Sequence, residues 1–308
     1  MHINREELKK KNQDTQVNET LSSEVSSISA SSKTVSKNSS HEKYEKAILV
    51  PKNKEEQNVR KKLPTKYIWL IVLLAVILAA SCIKIYSDNS YKPQNQGKEI
   101  DASILNIKKT DNMLVVRNPK LGETKHKIGI IFYQDNRIEG ECYLPIMKKL
   151  ALLGYDCFLP VAFGNQAFLN VDGADSVIRK YESIKKWILV GHGGSCRFIS
   201  EYASENPDKT DGVIFLGGYS GNDLSDLSLA ALSIIGSDDS VINNTKYENA
   251  KSLLPKDAEY KILNGGNHSG FADTTLISGD SKGSLSFDQQ TDKSVKFIHS
   301  FIQNQIDN

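Results

Sequence analysis

The sequence predicts an α/β domain with a mostly parallel sheet and helices on both faces, preceded by one transmembrane helix and a disordered N-terminal tail. Three observations predict it. From Lys127 onward, short apolar runs alternate with amphipathic helical patterns, the order that builds βαβ units. Residues 67–83 form an uninterrupted, uncharged apolar run. The residues before that run are polar, with ten serines between Ser22 and Ser40 and almost no aromatics.

A tail of that composition cannot bury enough apolar surface to offset chain entropy, so residues 1–66 are expected to be disordered. At about 1.5 Å per residue, about 20 apolar residues cross a bilayer core, so residues 67–86 predict a membrane helix. Tyr67, Trp69 and Tyr86 stand where interfacial aromatics belong. The alternative for such a run is a buried core helix, but charge-free stretches of this length are rare in soluble helices. Arg60, Lys61, Lys62 and Lys66 precede the run, against Lys84 and Lys92, offset by Asp88, after it. That bias puts the N-terminus in the cytoplasm and the C-terminal domain outside. The polar stretch ahead of the run is far longer than the n-region of a cleaved signal peptide.

Residues 87–98 read as a polar linker, and residues 99–308 as the globular domain. Residues 102–107 and 113–117 are strand candidates joined by the turn pair Asp111-Asn112, suited to an antiparallel edge. Residues 128–133 are a core strand. Leu144, Met147 and Leu150 mark a helix over 141–153 that stops at Gly154. Strands are then expected at 155–160, 187–190, 212–216, 230–235 and 260–263. Helices are expected at 172–180, 195–205, 246–254 and 288–302, the third of them ending before Pro255 and the second before Pro207.

A net charge of +2 and the absence of any basic stripe with interleaved aromatics argue against nucleic acid as a partner. Cys82, Cys142, Cys157 and Cys196 show no metal-ligand spacing, so no metal and no cofactor are expected. A disulfide among the last three would suit an external domain, whereas Cys157, in an apolar strand, reads as a buried, inert thiol.

Four segments occur in a telling order: the strand at 126–133, the turn Gly191-His-Gly-Gly-Ser195 after another strand, Gly236-Ser-Asp-Asp239, and Gly265-Gly-Asn-His-Ser269. Together they resemble the α/β-hydrolase superfamily, in particular its small esterase-like and dienelactone-hydrolase-like members, over roughly residues 127–303. The resemblance implies the α/β-hydrolase fold, with Asp239 as triad acid and His268 as base. It also implies a nucleophile at the tip of the turn, and there the pattern breaks. Aligned without a gap, Gly193 takes the nucleophile's position. Ser195 is the alternative nucleophile, in Gly193-Gly-Ser-Cys-Arg197, where Arg197 replaces the glycine that should close the motif. Cys196 is a weaker alternative, one helical step further round.

Similar hydrolases follow the first core strand with a small turn whose N–H groups hold an oxyanion. Here that turn is Tyr133-Gln-Asp-Asn-Arg137, leaving the N–H groups of Gln134 and Gly194 as candidate donors, with Gly193 beside them. The Asp135 carboxylate nearby would oppose negative charge on a substrate. Three functions stay open. One is a membrane-anchored hydrolase of an ester or similar acyl compound, using Ser195, Asp239 and His268. Another is a catalytically inactive protein of the same fold that binds a small-molecule ligand or a partner outside the membrane. The third is an anchor whose cytoplasmic tail does the work. The segment from 217 to 229 is too short for a lipase-type lid, which favours a small ligand.

Overall fold

In chain order the elements are helix α1 (Thr65–Asp88), strands β1 (Asn106–Thr110), β2 (Met113–Arg117) and β3 (Ile128–Tyr133), helix α2 (Leu144–Leu152), strand β4 (Asp156–Pro160), helix α3 (Gly173–Ile178), strand β5 (Lys186–His192), helix α4 (Cys196–Glu205), strands β6 (Gly212–Leu216) and β7 (Ala230–Gly236), helix α5 (Asn244–Ala250), strand β8 (Glu259–Leu263) and helix α6 (Phe287–Gln305). This computed structural model describes residues 64–95, 102–121 and 127–307. The expectations placed on residues 1–63, on 96–98 and on the Tyr86 side chain lie outside the described residues.

The strands form one sheet in the order β1-β2-β4-β3-β5-β6-β7-β8. β1 and β2 pair antiparallel with each other, and β2 pairs antiparallel with β4; every other pairing is parallel. The expected antiparallel edge is therefore present, but β1 lies further along the chain than its apolar residues suggested. A two-residue turn at Asp111-Asn112 forces Thr110 opposite Met113, and the pairing then runs back to Asn106 opposite Arg117. The resulting strand is polar and wholly exposed, with Lys108 and Lys109 on the outer edge where charge discourages further pairing.

Side chains that alternate along the central strands build a core on each face. On one face Ile130, Val190, Ile214 and Leu232 pack with Met147 and Leu150 of α2 and with Ile298, Phe301 and Ile302 of α6. On the other, Ile131, Leu189, Val213 and Phe215 pack with Val177 of α3 and with Ile199 and Tyr202 of α4. Helix bounds differ from the sequence reading by a few residues where single 3₁₀ turns flank them, as at Gly140–Tyr143 before α2 and Lys251–Leu253 after α5. Cys142, Cys157 and Cys196 are buried and unpaired, so no disulfide links the three. Burial pushes the Cys142 thiol up to about 12 and those of Cys157 and Cys196 well above their ordinary value.

Helix α1 contains a 21-residue stretch, Thr65–Ile85, long and apolar enough to cross a membrane, and none of its most apolar window is buried. A core helix would be covered. The first residues of the polar linker that follows are tied to the domain. Asn89 Nδ2 donates to Ile85 O and closes the helix end. Tyr91 N donates to Arg137 O at 2.6 Å and Glu139 N returns a bond to Tyr91 O at 3.0 Å. Asn165 Nδ2 reaches Ser90 Oγ, Arg137 Nη2 reaches Asn89 O, and Asn95 N donates to Asp273 Oδ2.

Candidate functional site

The carboxyl ends of β3, β5, β6, β7 and β8 release five loops on one side of the sheet, the place where open α/β sheets bind ligands. Between them lies a cavity of about 200 Å³, bordered by Asp135, Gly193, Arg197, Gly217, Ile242 and His268. The loops after β7 and β8 bring Asp239 and His268 together: Nδ1 of the imidazole lies 2.9 Å from Asp239 Oδ2. The other oxygen, Oδ1, accepts N–H bonds from Val241 and Ile242, both at 2.9 Å, which fixes the carboxylate. Burial opposes the ionised form, but the His268 hydrogen bond and these N–H donors outweigh it and hold the carboxyl below its usual range. Gly217, with φ of +57°, allows the close approach: a Cβ there would lie 2.9 Å from His268 Nδ1 and 3.1 Å from Asp239 Oδ2.

Strand β5 runs into a tight turn through Gly193 and Gly194. Gly193 has φ of +55°, a left-handed conformation that costs any residue with a Cβ. The space a Cβ would enter is already taken. A Cβ on Gly193 would lie 2.7 Å from Asp135 Cγ, closer still to Asp135 Oδ2, and 3.0 Å from His268 Nε2. The carboxylate of Asp135, from the loop after β3, thus stands where a side chain on Gly193 would project. Its Oδ1 accepts from Gly194 N at 2.9 Å and from Asn136 N at 2.8 Å, so the Gly194 donor is occupied.

Asp135 Oδ2 lies 3.7 Å from His268 Nε2, within ion-pair range but too long for a hydrogen bond. Among the described residues, Nε2 has no hydrogen-bond partner. The attraction is therefore coulombic, across side chains only 2% exposed for His268 and 16% for Asp135. Burial by itself disfavours the imidazolium, but the Asp135 and Asp239 carboxylates on either side outweigh it and push His268 up to about 9. For Asp135 the same balance runs in favour of ionisation: burial opposes it, and His268 together with the Asn136 N–H holds the carboxyl below its usual range.

Ser195 is not brought to His268. Its hydroxyl is fully buried, accepts from His192 N at 2.9 Å, and has Tyr133 O at 2.8 Å and His192 O at 2.9 Å as acceptors. These contacts fasten the turn to the end of β3. Cys196 points its thiol at Gly191 O, 3.3 Å away, inside the core. Gln134 is buried too, with its amide donating to Ile138 O and Asn165 Oδ1 and accepting from Ala162 N, so its side chain holds loops rather than lining the cavity.

Several residues that frame the site carry no motif. His192 stacks on His268 with ring centroids 4.7 Å apart and is held neutral, its value lowered to about 4 by burial and by the charge on His268. A carbonyl can only accept, so His192 Nε2 donates to His268 O at 3.2 Å, and Nδ1 accepts from the Tyr143 hydroxyl at 2.9 Å. The same hydroxyl accepts from Asp135 N at 2.9 Å and so steers the β3 loop. Asp280 takes Ser269 N at 2.8 Å and Gln290 brackets Asn267, fixing the loop that carries His268. Among the described residues, no group of three His, Cys, Asp or Glu is arranged to hold a metal ion.

No curated protein matches the chain. Among solved structures, a predicted CIB-like hydrolase from Thermoplasma acidophilum is similar at 13% identity and a TM-score of 0.48, covering 65% of this chain and 98% of its own. A dienelactone hydrolase from Anabaena variabilis is similar at 11% identity and a TM-score of 0.49, covering 66% and 99%. Est1E from Butyrivibrio proteoclasticus is similar at 10% identity and a TM-score of 0.46, covering 65% and 99%. The sequence model of the alpha/beta hydrolase family matches residues 129–292, more than half of the 308-residue chain, and the protein belongs to that family.

Proposed function

We propose that this chain is a single-pass, membrane-anchored member of the alpha/beta hydrolase family whose site binds a small ligand and does not turn over acyl esters. The observation that carries this reading is the Asp135 carboxylate lodged where a Gly193 side chain would project. Acyl transfer needs a nucleophile, a base free to take its proton, and donors free to hold the oxyanion. Gly193 offers no nucleophile. The Asp135 and Asp239 carboxylates push His268 up to about 9, which favours the imidazolium and disfavours a free base. Gly194 N–H is spent on Asp135, whose charge would also oppose an oxyanion. Ser195 acts in this reading as a structural clasp, its hydroxyl engaged with Tyr133 and His192. Arg197 and His268 offset Asp135 and Asp239 around the cavity, and its space of about 200 Å³ suits a small ligand.

The anchor rests on the exposed apolar stretch Thr65–Ile85, and the charge bias of its flanks supports a cytoplasmic N-terminus with the domain outside. The test is fluorophosphonate labelling of the full chain in detergent, followed by peptide mapping. The expected result is no labelled serine. Labelling at Ser195 that disappears in Ser195→Ala, together with hydrolysis of short acyl esters, would establish the hydrolase reading instead.

A further inference from the structure

We infer that the turn pair at residues 163–169 is a membrane-docking face, seated in the bilayer leaflet from which helix α1 emerges. The inference rests on the reading of α1 as a membrane anchor and adds to it a second attachment made by the folded domain. Phe163, Phe168 and Leu169 expose 70%, 55% and 46% of their surface on two consecutive 3₁₀ turns, Phe163–Asn165 and Ala167–Leu169. Three large apolar side chains so close in sequence and so exposed need a partner.

Their position names it. Phe163 and Gly164 lie against α1, and with Val76, Ala80 and Ile83 they border a largely apolar groove of about 520 Å³, with Lys84 and Asp88 at its polar end. The packing is close: a Cβ on Gly164 would meet the Ile83 side chain at 2.8 Å. At about 1.5 Å per residue, Ile83 and Val76 lie roughly 3 Å and 14 Å below the Ile85 end of the apolar stretch. A loop beside them is at hydrocarbon depth whenever α1 spans the bilayer. The domain cannot swing away, because the strap from Asn89 to Asn95 is bound to it through Arg137, Asn165 and Asp273. Aromatic and leucine side chains at this depth are stabilised by burial in lipid, and the groove fits an acyl chain rather than a folded partner. The docked face also borders the candidate site: Ala167 N donates to Asn136 Oδ1, next to Asp135.

The test uses the full chain in phosphatidylcholine vesicles with and without brominated acyl chains, reading tryptophan quenching. Native Trp69 reports whether α1 is in the bilayer, and Trp187, only 5% exposed in the core, is a constant background. A Trp69→Phe chain carrying Phe163→Trp then reports the turn. Blue-shifted emission and a loss comparable with that of native Trp69 support the inference, and Phe168→Trp should behave alike. If Trp69 is quenched while both turn probes emit as if in water and resist bromine, the docking face is wrong and the anchor stands. If Trp69 is not quenched either, the anchor reading falls as well. Emission that shifts with protein concentration but not with bromine would mark a second copy on the patch and also overturn it.

Discussion

Restoring a serine at the elbow should fail unless Asp135 is removed with it. Gly193 sits at φ of +55°, and a serine Cβ there would lie 2.7 Å from Asp135 Cγ and 3.0 Å from His268 Nε2. A left-handed residue with a Cβ costs about 1–2 kcal/mol, and forcing atoms into filled space costs about 1–3 kcal/mol. Gly193→Ser alone should therefore destabilise the domain by about 2–5 kcal/mol, at about 2–4 °C of Tm per kcal/mol. Asp135 can yield only by giving up Gly194 N, Asn136 N and its ion pair with His268. Asp135→Gly clears the space, so the steric share, about 1–3 kcal/mol, should vanish in the double variant and appear as coupling in a double-mutant cycle. Thermal denaturation of the four chains in detergent measures it, and fluorophosphonate labelling reads the chemistry. Only the double variant should be labelled at its new serine, with His268 released to act as base and Asp239 to orient it. Additive stabilities, within about 0.5 kcal/mol, or labelling of Gly193→Ser alone, would refute the reasoning.

Two further outcomes follow from the same geometry. Ser195→Ala should cost about 1–3 kcal/mol in chemical denaturation, because it strips a buried bond from His192 N; a loss below about 0.5 kcal/mol would mean the hydroxyl is not a clasp. Stability should also fall as the medium becomes alkaline. His268 rises from an ordinary 6.5 to about 9 on folding, so its contribution is fully present below about 6.5 and is lost as pH climbs through about 9. The amount is up to about 3 kcal/mol, and Asp135→Asn should remove much of the slope; a flat profile across that window would contradict the ion pair.

The fold was legible because apolar periodicity follows burial. Strands 113–117 and 212–216 match the structure residue for residue, since each is an apolar run bounded by turns. β1 was displaced because its position is set by the Asp111-Asn112 turn, not by its own polar residues. The strap at 89–95 was read as a polar linker, since hydrogen bonds to distant Arg137 and Asp273 leave no local pattern. At the site, the resemblance to the α/β-hydrolase superfamily singled out Gly193, Asp239 and His268, and the polar turn after β3 signalled that Asp135 was out of keeping. That its carboxylate would fold back over Gly193 depends on Tyr143 and Gly194, which only the tertiary structure brings to Asp135. The anchoring of the Ser195 hydroxyl was hidden for a similar reason: its partners, Tyr133 O and His192 N, are backbone groups.

In the proposed reading His268 is held as an imidazolium between the Asp135 and Asp239 carboxylates. Its ring ¹⁵N shifts, followed against pH in the full chain and assigned with His268→Gln, test this most directly. The account predicts a ring protonated on both nitrogens at neutral pH, titrating near 9, and a lower value in Asp135→Asn. A neutral ring at pH 7, titrating near its ordinary 6.5, would leave a base free for catalysis and contradict the account.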